Sequence, residues 1–432
     1  MRCAPDTDVP VAEGSGVDNR ALPDTLDGRC APPPLHREDG WRWDGRAARG
    51  HPVPTNLGAW ARCSTSQRPV DTDESLELGC ERSGRRGLKR LGFFTRLLDE
   101  TDPAERYRLA TAQIAHAERC GFDVAWVAQH HFHEDEGGLP GPLVFLAQVA
   151  ARTSRIRLGT AIVTLPLELP IRVAEDAAVL DLMSGGRLEV GVGSGGNLSA
   201  FTAFGLDSAE RAILLSDHLR VLRDAWEGRP LPGGDRLYPP TPHLADRIWQ
   251  ATFTVEGAGR AGAAGDGLLL SRTQPRPEGA AHLSLSEIQN PMIDAYIAAL
   301  PADRQPRVLA SRTVFVADDR AEALRFAEIG LARARRRRAR AGRATPAGSV
   351  DALIAALDVH LGTSDDVIAS LQADGALARA TDLAVQVHSI DPPHPFILRS
   401  IELVAEVVAP ALGWERGGGA GMERGTGERG RP

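Results

Sequence analysis

Val124-Ala125-Trp126-Val127-Ala128-Gln129-His130-His131-Phe132-His133 is an apolar run that stops abruptly in three histidines and an aromatic ring. Such an uninterrupted run fits a strand buried on both faces, the kind found in parallel sheets. Parallel α/β folds carry their chemistry just past the C-terminal ends of their strands. The stretch therefore couples an architecture to a reactive group.

Working outward, strand-like runs at 91–95, 124–128, 156–161, 188–192, 248–251, 267–270, 308–316 and 383–387 alternate with helix-like segments. Asp102-Pro103-Ala104-Glu105 supplies a helix N-cap, a proline at the first helical position and a capping-box carboxylate. Tyr107, Ala110, Ile114 and Ala117 form the apolar face that follows, and Gly121 ends it. Val173, Ala177 and Leu180 line one side of a later helix that stops at Ser184-Gly185-Gly186. A further helix begins at Asp207 and carries Leu215, Leu219, Leu222 and Trp226, while 197–205 reads as a loop. Eight strands alternating with amphipathic helices predict an α/β fold, a (β/α)8 TIM barrel. A doubly wound sheet stays open, because alternation alone does not show closure.

The 432 residues are 42% hydrophobic and 25% charged, the composition of a folded globular protein. A net charge of −7 argues against nucleic acid as a main partner. The six arginines within 333–340 read as a solvated amphipathic helix. Four of the five cysteines precede the first convincing strand, in no zinc or redox spacing, which fits a reduced, cytoplasmic setting. No stretch has the roughly 18 apolar residues of a membrane span, and the acidic start lacks the apolar core of a signal peptide. Residues 1–87 carry Pro32-Pro33-Pro34 and little periodicity, so they read as a disordered or loosely ordered N-terminal extension. With no methionine between Met1 and Met183, Leu88 is a candidate initiator from an alternative start codon. The domain would then run over 88–414, followed by a Gly-rich tail at 415–432.

The histidines admit three readings: scaffold, metal ligation through the His131-x-His133 pair, or acid–base and hydrogen-bonding chemistry by one neutral imidazole. Metal sites of that pattern need ligands at later strand ends. Those ends are Gly193, Thr252 and Ser271, with only His388 after the last strand to help, so no metal is expected. Gly191-Val192-Gly193-Ser194-Gly195-Gly196 satisfies the dinucleotide spacing but lacks the helix and acidic residue that complete it. Close backbone approach to a flat ligand explains the glycines better. Thr252-Phe253-Thr254-Val255-Glu256-Gly257-Ala258-Gly259 opens a small-residue helix, and its N–H groups and hydroxyls suit a phosphate. Simple capping by Thr254 is the alternative. Glu175, Asp176, Asp181 and Arg187 read as salt bridges or caps.

Together these segments resemble the luciferase-like flavin monooxygenases, in the FMN-dependent branch. The matching phrases are Ala117-Glu118-Arg119-Cys120-Gly121-Phe122-Asp123 leading to Trp126 and His130-His131-Phe132, then Arg157-Leu158-Gly159-Thr160-Ala161. They continue with Pro170 to Glu175-Asp176, Asp181-Leu182-Met183-Ser184-Gly185-Gly186-Arg187, the glycine turn with Phe204-Gly205, and Trp249-Gln250-Ala251-Thr252-Phe253. The resemblance implies a barrel, usually a homodimer, that binds FMN at the C-terminal mouth. Reduced FMN from a separate flavin reductase would use O2 to oxygenate a small organic substrate. His130 matches the family's catalytic histidine, which positions the activated flavin or its reacting partner. Thr160, Ala161 and Ile162 match the loop beneath the isoalloxazine, where members often carry a cis peptide. Gly193 and Ser194 fall in the glycine turn, and Thr254, Gly257 and Ala258 at the FMN phosphate.

Two departures stand out. Gln129 replaces the glutamate of luciferase, and Gly193-Ser194 replaces its reactive cysteine and phosphate-binding arginine, which puts light emission in doubt. Two other functions stay open: a deazaflavin-dependent oxidoreductase performing hydride transfer, or a non-catalytic flavin-binding partner subunit. Substrate specificity is expected in the loops 238–243 and 273–289.

Overall fold

The computed structural model describes residues 89–277, 279–280, 282–340 and 348–414. The proposed extension and C-terminal tail, with the Leu88 start and four of the cysteines, lie outside the described residues.

Eight parallel strands form the barrel: β1 (Arg90–Thr95), β2 (Val124–Val127), β3 (Arg157–Thr160), β4 (Leu188–Gly193), β5 (Ile248–Ala251), β6 (Gly267–Leu270), β7 (Val308–Val316) and β8 (Asp382–Gln386). Each pairs with the next, and β8 pairs back with β1 through Arg90↔Asp382 and Leu91↔Leu383. That last ladder closes the sheet and excludes the doubly wound alternative. Nearly every strand residue is buried, as continuous apolar runs require when helices cover the outside.

Two tryptophans fill the barrel interior. Trp126 and Trp249 meet edge to face, with centroids 5.6 Å apart and planes at 84°. They fit because their neighbours have no side chain. A Cβ on Gly159 would overlap the Trp126 ring, and one on Gly267 the Trp249 ring. Below them Arg90 pairs with Asp382 at 2.7 Å, and Arg157 pairs with Glu189 at 2.6 Å. Trp249 Nε1 donates to Glu189 at 2.8 Å, so the ion network and the ring stack share one strand.

The first barrel helix, Pro103–Cys120, is capped as its sequence indicates: Asp102 accepts from Glu105 N, and Gly121 closes it with φ 95°. Asp181 and Arg187 are structural, as expected. Asp181 accepts from Leu188 N at 3.0 Å and from His243 at 2.6 Å. Arg187 donates to the carbonyls of Ala150, Thr153, Ile156 and Ser184.

Four local expectations need correction. Residues 198–203 form a helix, Leu198–Ala203, capped by Asn197. The helix expected at Asp207 opens as a 3-10 turn and turns α-helical only over Arg211–Trp226. Two strands escaped notice: Val163–Thr164 beside β4, and Val359–Gly362, which pairs with the overhanging end of β7. Arg333 is not simply solvated, since it pairs with Glu100 and donates to the carbonyls of Ile390 and Asp391.

Candidate active site

The C-terminal strand ends gather most of the singled-out residues at one mouth, in two arcs. The arc from β3 to β5 is apolar and small. The peptide Ala161–Ile162 is cis, where the resemblance placed such a bond. Both residues are half-buried and pack with Ala251 on the layer that holds Trp126 and Trp249. Gly193 continues the shelf: a Cβ there would come within 2.8 Å of Ile162 Cδ1 and 3.5 Å of Ala251 Cβ. Ser194 follows, half-buried. Thr160 stands apart from the others. Its hydroxyl, fully buried, donates to Gly191 O at 2.8 Å and accepts from Gly191 N at 2.9 Å, so it latches β3 to β4.

After β5, Thr254 caps the helix Val255–Ala263 by accepting from Gly257 N at 3.0 Å. Ala258 N donates to Thr254 O at 3.1 Å. The N–H groups of Gly257 and Ala258 are therefore engaged within the helix. The N–H groups of Val255 and Glu256 remain at the helix start, where the dipole also favours an anion. Thr252 lies over this turn; a Cβ on Gly257 would overlap its hydroxyl.

The other arc, from β6 through β7, β8 and β1 to β2, is polar. Arg96, one residue past β1, donates from Nη2 to His130 Nε2 at 2.7 Å and to Glu136 O. An arginine has only donors, so His130 Nε2 accepts with its lone pair and the ring is neutral with its proton on Nδ1. Burial, then Arg96 and then His388, hold its pKa well below the ordinary histidine value. Gly137 lies against the ring, leaving no room for a Cβ. Across the arc, Arg272 donates to Thr313 Oγ1 at 3.0 Å and to Ser389 Oγ at 3.4 Å.

The remaining histidines of the opening stretch do other work. The His131 ring packs edge to face on Phe204, centroids 5.1 Å apart. His133 shares a hydrogen bond of 2.9 Å with Ser199. Gln129 is a brace: Nε2 donates to Pro140 O and Glu168, and Oε1 accepts from Thr164 N at 2.7 Å. Among the described residues no three His, Cys, Asp or Glu side chains gather as a metal would need. Arg96, Arg272 and Asp391 were not singled out from sequence. Their signal was position alone, since each lies within a few residues of a strand's C-terminal end. The loop 238–243 was misplaced. It leads into β5 from the N-terminal side, where His243 binds Asp181, so it lies at the end of the barrel opposite the mouth.

Residues 91–380 match the family described as luciferase-like monooxygenase. The chain belongs to that family. As a luciferase-like monooxygenase it is a flavin-dependent oxidoreductase. It is 28% identical to the uncharacterized protein y4vJ of Sinorhizobium fredii over 332 residues, 71% of this chain and 91% of that one. A local match to the alkanal monooxygenase alpha chain of the Kryptophanaron alfredi symbiont is 40% identical over 106 residues, 24% of this chain and 29% of that one. Among solved structures, monooxygenase RslO1 from Streptomyces bottropensis has a TM-score of 0.62 and 26% identity, covering 75% of this chain and 99% of that one.

Two further structures share the fold alone. One is the oxygenating constituent of 3,6-diketocamphane monooxygenase from Pseudomonas putida in complex with FMN, with TM-score 0.59, 19% identity, and coverage of 75% of this chain and 98% of that one. The other is the coenzyme F420 dependent tetrahydromethanopterin reductase from Methanopyrus kandleri, with TM-score 0.53, 17% identity, and coverage of 75% and 99%.

Proposed function

We propose that this luciferase-like monooxygenase binds reduced FMN across the β3–β5 arc and uses O2 to oxygenate a small organic substrate. The observation that carries the reading is the continuity of that arc. An apolar shelf of Ala161, Ile162, Gly193 and Ala251 runs into a helix N-terminus suited to one phosphate. The shelf offers a flat ring a backbone-close seat, and Ser194 and Thr252 border it. Val255 and Glu256 would hold the phosphate by their N–H groups, while Thr254, Gly257 and Ala258 shape the turn that presents them. Thr160 acts on the ring only by fixing β3 against β4.

Bound FMN would supply two electrons and activate O2; a separate flavin reductase would reload it. The chain's own contribution comes from the polar arc. His130 holds Arg96 in place, so a fixed cation faces the reacting groups and stabilises negative charge that develops there. In this reading the family histidine acts through Arg96, because its own Nε2 is already engaged. After β6 the buried Gln274 donates to Phe253 O, which ties the segment leaving β6 to the one leaving β5.

Anaerobic titration of the full chain with reduced FMN and, separately, with reduced deazaflavin tests the assignment. Saturable binding of FMN at least about tenfold tighter than deazaflavin, one decade in equilibrium constant, is expected. Preference for deazaflavin would turn the reading to hydride transfer without O2. Binding of neither would leave the barrel without this function.

A further inference from the structure

The mouth holds a second imidazole that plays no part in the reading above. His388 follows β8, and its Nδ1 lies 2.8 and 3.0 Å from the two carboxylate oxygens of Asp391. Asp391 has φ 48°, a left-handed conformation that aspartate tolerates, and it turns the carboxylate back onto the ring three residues earlier. The carboxylate fixes the Nδ1–H tautomer, so Nε2 carries a lone pair. No described residue hydrogen-bonds Nε2. His130 differs on this point, since its Nε2 accepts from Arg96.

The His388 backbone is held as firmly: Thr313 Oγ1 donates to His388 O at 2.7 Å, and Arg272 ties Thr313 to Ser389. The ring lines a narrow cavity with Arg96, Asp99, Gln113 and Asp391; its 20 Å³ admits about one water. Asp99 and Asp391 also line a wider groove of 350 Å³ that reaches Glu100, Arg333 and His394. Gln113 spans the junction, 3.0 Å from Asp99 and 3.2 Å from His394. His388, Asp391, Asp99 and His394 thus lie along the two adjoining cavities, with the Gln113 amide bridging Asp99 and His394.

We propose that the His388–Asp391 pair is the proton-handling group of this enzyme, passing protons between the outer groove and the mouth. The inference rests on the monooxygenase reading. Oxygenation of a substrate S follows S + O2 + FMNH− + H+ → SO + FMN + H2O; the reduced flavin would bring two electrons and one proton, and the second proton must be delivered at the mouth. In each transfer one Nε2–H bond forms as a neighbouring O–H breaks, and it breaks again on release. Asp391 balances the imidazolium while it lasts.

The groups facing the ring are Arg96 after β1, His130 after β2, Arg272 after β6, and Asp391 and Asp99 from the loops. Burial holds the ring down to about 3, against the pull of Asp391, with Arg272 and Arg96 adding to the depression. It therefore rests neutral and gives up any proton it takes.

Nitrogen-15 NMR of the histidine-labelled chain, without cofactor, reads the pair directly, with the His388 signal assigned by its loss in His388→Gln. A neutral Nδ1–H tautomer held from about pH 5 to about pH 9, and scrambled in Asp391→Gly, which removes the acceptor and keeps the left-handed backbone, is expected. An Nε2–H tautomer, or no change in Asp391→Gly, overturns the pairing. The second arm follows reoxidation of the chain's bound reduced FMN by O2, with no organic substrate. His388→Gly should slow it about 100-fold, and added imidazole should restore most of the rate. Wild-type speed, or a loss that imidazole leaves unrepaired, overturns the relay. Failure to bind FMN would sink the flavin reading instead, and the NMR arm would still judge the pair.

Discussion

His130 and Arg96 show how a residue legible in sequence can depend on one that is not. Three histidines after an apolar run are conspicuous, whereas Arg96 in Phe94-Thr95-Arg96-Leu97 looks like any solvated charge until strand pairing sets β1 beside β2. The 2.7 Å contact makes His130 an acceptor and keeps it neutral. In Arg96→Gln the depressing charge is removed while burial remains, so the His130 pKa should move up toward the ordinary histidine value; NMR titration of the ring would show it, and an unmoved pKa would count against the contact. Gly193 is the other case. The glycine turn reads in sequence as a close backbone approach to a flat ligand; in the structure a Cβ on Gly193 would meet Ile162 and Ala251. Gly193→Val should fold, with the Ile162 side chain displaced, yet bind FMN at least about tenfold more weakly, a loss of about 1.4 kcal/mol. Thr160, carried over from the family as a cofactor contact, is bonded on both sides to Gly191, a commitment no spacing could reveal.

At the scale of elements, all eight barrel strands were readable because strands buried on both faces are rich in apolar residues, even where Glu189 or Ser311-Arg312-Thr313 interrupts the run. What escaped was short or mixed. Leu198–Ala203 has too few residues to show a helical period, and Val359–Gly362 carries a histidine in a four-residue strand. Two element-level predictions follow from the packing. Thr254→Ala removes the cap of Val255–Ala263 and should cost about 1 kcal/mol in urea unfolding, with weaker FMN binding if that turn seats the phosphate. Glu189 on β4 is the shared anion of Arg157, Arg90 and Trp249. Burial pushes its carboxyl up, but Arg157 and Arg90 outweigh that and leave its pKa below the usual value. Its stabilisation is therefore complete above the unfolded glutamate pKa, about 4.3, and is lost as pH falls through the lower folded value. Glu189→Gln should cost about 3 kcal/mol at neutral pH, and the gap to wild type should narrow in acid below about pH 4; a gap constant across that range would contradict the ion network.

Across the whole molecule, sequence could count strands but not close them. Closure rests on the β1–β8 ladder, whose partners are nearly 300 residues apart (Arg90 with Asp382), and no local pattern reports such a pairing. The same closure converts scattered strand ends into one mouth with an apolar arc, the proposed seat of the flavin, and a polar arc of Arg96, His130, Arg272 and His388. Loop 238–243 lay on the wrong end for the same reason: a sequence gives the order of loops, and only the closed barrel says which rim each occupies. Among the described residues no helix is long and apolar enough to cross a membrane. The most direct test of the two-arc mouth is rapid mixing of the FMN-loaded, reduced protein with oxygenated buffer, followed by absorbance. A flavin species distinct from both reduced and oxidised FMN, persisting for seconds and shortened by at least about tenfold in Arg96→Gln, is the expected result. Direct conversion of reduced to oxidised flavin at the rate of free FMN, unaltered by that substitution, would contradict it.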